Sequence, residues 1–162
     1  MMTHEPRCQQ GCMSGDSEIE TVDGPVAIGT LVGKRMPVLT RLPDGRIGFR
    51  LMTEIACAGE GVPVVRVTFD NGHSVVVDPE HIFYRKGMEE CVARSLTAGD
   101  VLETSFHFPE GYELQRNDGS REPSAGAVRV AGIEDAGTAD VFTGAVNETA
   151  TYFTTAGVLC KA

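Results

Sequence analysis

Val64-Val65-Arg66-Val67-Thr68-Phe69-Asp70-Asn71-Gly72-His73-Ser74-Val75-Val76-Val77 is the stretch that decides the fold class. Valine and threonine are stiff at χ1 and suit a pleated surface, and they lie on both sides of an Asn-Gly pair that accepts positive φ. The pattern predicts a β-hairpin over Val64 to Phe69 and His73 to Val77, turning at Asp70-Asn71-Gly72.

The same punctuation recurs in both directions. Asp23-Gly24-Pro25, Gly33-Lys34, Pro43-Asp44-Gly45, Gly59-Glu60-Gly61 and Ala98-Gly99-Asp100 separate short apolar runs, which suits an all-β domain. Arg46 to Phe49 is expected to pair back on Met36 to Thr40. Ala127 to Ile133 and Asp140 to Val146 read as later strands across a turn at Asp135-Ala136-Gly137. Helix is expected only in short pieces, at Ala27 to Leu31 and Ala93 to Leu96. Glu103 to Ala125 strings turn formers and charges together without a sustained apolar face, and reads as a flexible insertion. Met1 to Gly11 is polar and aperiodic, a leader outside a single domain that starts at Cys12.

With 162 residues, 41% hydrophobic and 23% charged, the chain can bury one compact core. A formal charge of -9 opposes a nucleic-acid backbone as partner. No run approaches a membrane helix, and Met1 to Gln10 lacks the apolar core of a signal peptide, so a cytoplasmic monomer is expected. Five cysteines, Cys8, Cys12, Cys57, Cys91 and Cys160, are odd in number and scattered, which argues against a disulfide framework. His4, Cys8 and Cys12 lack a fourth ligand of matching spacing, and no metal or cofactor is expected. Cys57 and Cys91 read as small core residues and Cys160 as buried, while His73 and His107 read as solvent-facing.

Cys12 follows Gly11 and opens Cys12-Met13-Ser14-Gly15-Asp16-Ser17. Cysteine is the most nucleophilic side chain near neutral pH, so a thiol here could attack the peptide bond that precedes it. Such an acyl shift needs a group that protonates or polarises the departing amide nitrogen and donors for the oxyanion. His81, in Asp78-Pro79-Glu80-His81 just beyond a strand, fits the first requirement. Asp78 is either a helper that raises the His81 pKa or a loop cap before Pro79.

Several segments taken in order resemble the hedgehog/intein (Hint) self-processing domains. Cys12 to Ser17 resembles the opening motif of these domains, and Asp23-Gly24-Pro25-Val26-Ala27-Ile28-Gly29-Thr30-Leu31 resembles the early strand and turn. Val67 to Tyr84 resembles a hairpin ending in Thr-x-x-His, with Asp78 at the threonine. Val92 to Leu102 is similar to the "A-x-x-L-x-x-G-D-x-L" stretch. Ala139 to Val146 resembles "V-Y-D-L-x-V" with Thr143 at the aspartate, and Thr151 to Leu159 resembles "H-N-F-x-x-N-G-x-L" with Thr151 at the histidine.

The resemblance implies a compact, horseshoe-like Hint fold with pseudo-twofold related halves, of the bacterial intein-like or mini-intein kind, with the insertion at 103–125 standing where larger inteins carry an endonuclease. It implies that Cys12 forms a thioester with Gly11, helped by His81, and that water, a thiol or an amine then releases the leader. The substrate is the chain's own flanking polypeptide. Lys161-Ala162 stands where the family has His-Asn, and alanine has no amide to cyclise, so full splicing is not expected. Thr143, Thr151, Lys161 and Ala162 are accessory positions. The alternative is a catalytically degenerate Hint-shaped module that binds or scaffolds, favoured by the departures at Asp78, Thr143, Thr151 and Ala162.

Overall fold

The computed structural model describes residues 12–105, 111–115, 117–123 and 127–162. Its strands are β1 (Met13–Ser14), β2 (Glu18–Thr21), β3 (Gly24–Ala27), β4 (Met36–Arg41), β5 (Ile47–Phe69), β6 (Ser74–Val77), β7 (Ile82–Arg85) and β8 (Glu89–Val92). They continue with β9 (Val101–Leu102), β10 (Glu113–Gln115), β11 (Arg121–Pro123), β12 (Val128–Val146), β13 (Thr151–Phe153) and β14 (Leu159–Lys161). Among the described residues the only helical pieces are 3-10 turns at Ile28–Leu31 and Ala93–Ser95, where the sequence predicts them. The fold is all-β, as expected.

The Asn-Gly hairpin forms as read: Val65, Arg66, Val67 and Thr68 of β5 face Val77, Val76, Val75 and Ser74 of β6. Leu39 and Thr40 of β4 pair with Phe49 and Gly48 across the Asp44-Gly45 turn. Two expected turns are instead passed straight through. β5 is 23 residues long and crosses Gly59-Glu60-Gly61, and β12 is 19 residues long and crosses Asp135-Ala136-Gly137. The reason is mutual pairing. β5 and β12 are antiparallel partners from Val130↔Phe69 to Val146↔Met52, and the glycine segments become register shifts inside that ribbon. Gly61 and Gly137 take φ of 58° and 79°, and the carboxylates of Asp140 and Asp135 accept hydrogen bonds from their backbone N–H groups at 2.9 Å each. Such bulges bend and twist a long ribbon without ending it.

A 12-stranded sheet results, with β1 inserted between β12 and β6 and with β7 flanked by β14, β8 and β9. Its core holds Phe69, Phe83, Tyr152, Ile19, Ile28, Met13 and Met52, each at most 1% exposed. Phe69 and Phe83 meet edge to face at 6.3 Å, tying the β5 end of the ribbon to β7. The first three residues of the segment read as an insertion pair with the rest of the sheet. Glu103, Thr104 and Ser105 belong to the body, since Glu103 bonds Tyr84 and Leu159 through its backbone, Thr104 bridges Val158, and Ser105 N–H donates to Gly157. Beyond them, β10 and β11 form a separate two-stranded hairpin.

Candidate active site

Cys12 enters the sheet directly before β1, and the β1 neighbours fix its surroundings. Met13 lies opposite Phe142 on one side and Val77 on the other, and Ser14 opposite Val141. Continued by one residue, these registers put Thr143 and Asp78 on either side of Cys12. The Asp78 N–H donates to the Cys12 carbonyl at 3.1 Å. Cys12 itself is 0% exposed and packs with Val64 and Val141.

Local sequence sets this loop. Gly15 and Gly29 meet back to back: Gly29 N–H donates to Gly15 O at 2.9 Å, and a Cβ at Gly29 would sit 2.9 Å from that oxygen. Ser14 Oγ donates to Asp16 at 2.6 Å and lies 2.9 Å from Ser17 Oγ, which reaches the Val76 carbonyl at 3.1 Å. The opening motif is thereby stitched to the strand that leads to Asp78 and His81.

His81 is 1% exposed, and its ring stands edge-on to Phe83 at 4.7 Å. Its N–H donates to Asp78 O at 2.9 Å, and its carbonyl accepts from Ala93 N–H at 2.7 Å. Neither ring nitrogen completes a hydrogen bond. Burial drives the imidazole pKa down from 6.5 to about 3, with a smaller opposing pull from the Cys12 backbone. His81 is therefore a neutral imidazole across the physiological range, beside the backbone of Cys12.

The Asp78 carboxylate accepts from Glu80 N–H at 2.8 Å, an Asx turn that caps its own loop. Its contact with Cys12 runs instead through its backbone N–H.

Residues that sequence reasoning did not single out brace the loop from behind. Arg94 N–H donates to Pro79 O at 3.0 Å, and the Arg94 side chain grips Glu80 at 2.6 and 3.3 Å. The Val92 to Leu102 stretch thus positions the His81 loop, a function invisible in its own pattern.

The remaining accessory positions separate. Thr151 is buried and shares a 2.7 Å hydrogen bond with Thr40, which also meets Thr149. It faces Lys161 across β13 and β14. Lys161 Nζ donates to Glu90 at 3.0 Å, and Ala162 N–H to Ala150 O at 2.8 Å. The Cys160↔Phe83 register, carried two residues on, leads from Ala162 to His81, so the end of β14 and the start of β1 approach one loop.

The cysteines differ from expectation at two places. Cys91 and Cys160 are buried and free, and burial raises both thiol pKa values. Cys57 is free but exposed, because β5 has left the core there and its thiol turns to Gly59 O. Cys12 is disulfide-bonded, where the scatter of the cysteines argued against a disulfide framework. Gly11, His4, Cys8 and His107 lie outside the described residues.

No protein-family profile matches the chain. Its structure is similar to the Ssp DnaB mini-intein variant M86, with a TM-score of 0.72 at 15% identity over 97% of each chain. It is also similar to the bacterial intein-like domain from Clostridium thermocellum, with a TM-score of 0.70 at 19% identity over 94% of this chain and 99% of that one. The chain has the intein-type Hint fold. The DnaX mini intein from Spirulina platensis superposes comparably on this Hint fold, at a TM-score of 0.70 and 13% identity over 93% of this chain and 99% of that one. In sequence, the chain is 35% identical over 121 residues to the B subunit of DNA gyrase from Synechocystis sp., a match spanning 64% of this chain and 11% of that protein.

Proposed function

We propose that this Hint domain processes its own polypeptide by an N–S acyl shift at Gly11-Cys12. The observation that carries the reading is the convergence on one backbone unit: the buried His81 ring lies beside the Cys12 main chain, whose carbonyl is held by Asp78 N–H. The fold supports it. So does the gyrase match, since similarity confined to about a tenth of a large polypeptide is what an inserted self-processing domain would give.

In the reaction, the Cys12 thiolate attacks the Gly11 carbonyl carbon. The C–S bond forms, the C–N bond breaks, and the nitrogen leaves as the α-amine of Cys12 after gaining a proton. A neutral imidazole is suited to moving that proton. Its low pKa reflects burial without a counter-charge, and an oxyanion developing nearby supplies one, so the ring becomes more basic as the tetrahedral state forms. Water, a thiol or an amine then takes the acyl group and releases the leader. Ala162, at the position of the family asparagine, has no amide to cyclise, so the reaction ends in cleavage at the first junction.

The test is hydroxylamine treatment of the reduced protein followed by intact-mass measurement. A fragment ending at Gly11 is expected from the native sequence and none from Cys12→Ala. An intact native chain, or equal cleavage of both proteins, overturns the proposal in favour of a non-catalytic Hint module.

A further inference from the structure

We infer that the Val62–Ala139 pair of the β5–β12 ribbon selects the acyl acceptor by size, admitting compact nucleophiles to Cys12 and turning bulky ones away. The inference rests on the acyl-shift reading above and adds the substrate class of its second step. The sheet curls around the start of β1. Met13 pairs with Val77 of β6, Val77 with Val65 of β5, and Val65 with Asp135 of β12, while farther along β12 Phe142 pairs back on Met13. Cys12 packs inside that curl against Val64 and Val141, each 1% exposed, in a cluster separate from the main core. Val62 and Ala139 pack on the same cluster but are only half-buried, so they form its rim toward solvent.

A β-bulge sets that rim. Gly59 pairs with Val141 and Val62 with Ala139, so Glu60 and Gly61 together stand against Asp140 alone. Gly61 takes a φ of 58° and donates its N–H to the Asp140 carboxylate at 2.9 Å, which holds the extra residue in place. Regular pairing would put Gly61 opposite Ala139 and turn Val62 to the other face; the bulge puts the valine there instead. Gly59 lets the valines close up, since a Cβ on it would lie 3.1 Å from Val62 Cγ1 and 3.4 Å from Val141 Cγ2.

The second step must be carried out past this rim. The nitrogen or sulfur of the acceptor attacks the thioester carbonyl carbon, and a C–N or C–S bond forms. The bond to Cys12 Sγ breaks with its electron pair on sulfur, and the proton of the acceptor ends there. An acceptor with branched or bulky substituents beside its nucleophilic atom would press on Val62 and Ala139, whose ribbon is fixed by the bulge. Water and unbranched amines meet no such barrier.

Hydroxylamine and O-tert-butylhydroxylamine share one nucleophilic group and differ in bulk, and their hydroxamate products separate by mass. Offered together to the phosphine-reduced native chain, they should give a preference for hydroxylamine roughly tenfold beyond that of a free peptide thioester, the scale on which an apolar pocket sorts by size. Val62→Ala should bring the preference toward the free-thioester value, and Ala139→Val should raise it. The ratio comes from one competition, so a general loss of rate cancels. A native preference equal to that of the free thioester, or one unchanged in both variants, overturns the selection by Val62 and Ala139 and leaves the acyl shift standing. Failure of the reduced native chain to yield either hydroxamate overturns the acyl-shift reading, and the selection with it.

Discussion

The Asp78 N–H donates to the Cys12 carbonyl at 3.1 Å, while the Asp78 carbonyl accepts the His81 N–H at 2.9 Å. One residue thereby couples the proposed nucleophile to the imidazole through its backbone. Positioning of this kind is worth most when it is rigid, and the cap from Asp78 to Glu80 N–H supplies the rigidity. Asp78→Asn keeps an acceptor for Glu80 N–H, so its cleavage rate should stay near that of the native chain. Asp78→Ala should lower stability by about 1 kcal/mol for the lost hydrogen bond. Urea unfolding and hydroxylamine cleavage, measured side by side, check both; a large rate loss in Asp78→Asn would return the carboxylate to the chemistry.

Removing the imidazole should cost more. His81→Gln in the reduced protein is expected to slow cleavage by roughly 10²- to 10⁴-fold, the usual contribution of a positioned acid–base group. The pH profile of the native reaction should show no inflection near 6.5, because the buried ring titrates at about 3. Quenched time courses by mass spectrometry between pH 5 and 9 read both effects.

Stability should carry the same signature. His81 is neutral in the fold down to about pH 3, whereas the unfolded chain protonates it near 6.5. Between those values the unfolded state binds the extra proton, so the contribution of His81 is complete above pH 6.5 and is lost as pH falls, on the order of 1.4 kcal/mol per unit. The difference in unfolding free energy between the native chain and His81→Gln isolates this slope from the carboxylates. A difference independent of pH from 4 to 7 would show that the ring is hydrated in the fold.

Gly29→Ala tests the base of the Cys12 loop. Its new methyl would press on the Gly15 carbonyl, a backbone contact with no side chain to move aside. A loss of about 1–3 kcal/mol is expected, as for other overpacked sites, with cleavage slowed because Cys12 shifts. Thermal melting and the hydroxylamine assay together distinguish this from Gly33→Ala, where no atom lies within 4 Å of the new methyl and the cost comes from a φ of 74° alone.

Thr151 gives the opposite expectation. Its hydroxyl pairs with Thr40 on the β4 side, so Thr151→Val should cost about 1 kcal/mol and leave the first-junction reaction unchanged. Slowed cleavage in a variant that melts normally would place Thr151 in the mechanism.

The Asn-Gly hairpin, the β4 and β5 pairing and both 3-10 turns were legible because each is a local event, decided by β-branched residues and turn formers a few positions apart. The continuity of β5 through Gly59-Glu60-Gly61 was not. Those glycines do permit a turn, and what overrides it is pairing with β12 some 80 residues away, which no window of sequence contains. Cys57 misled for the same reason: its neighbours are apolar, but the strand has already left the core.

By itself the sequence determined the chemistry on offer: a thiol after a glycine, a histidine beyond a valine strand, and an alanine where an amide would be needed. It also determined that these residues sit among strands. Only the tertiary structure decided how they behave, because desolvation and proximity belong to the packed chain and to no residue alone. Packing buries His81 and lowers its pKa, turns the Asp78 carboxylate toward Glu80 while aiming its N–H at Cys12, and accompanies a Cys12 sulfur held in a disulfide.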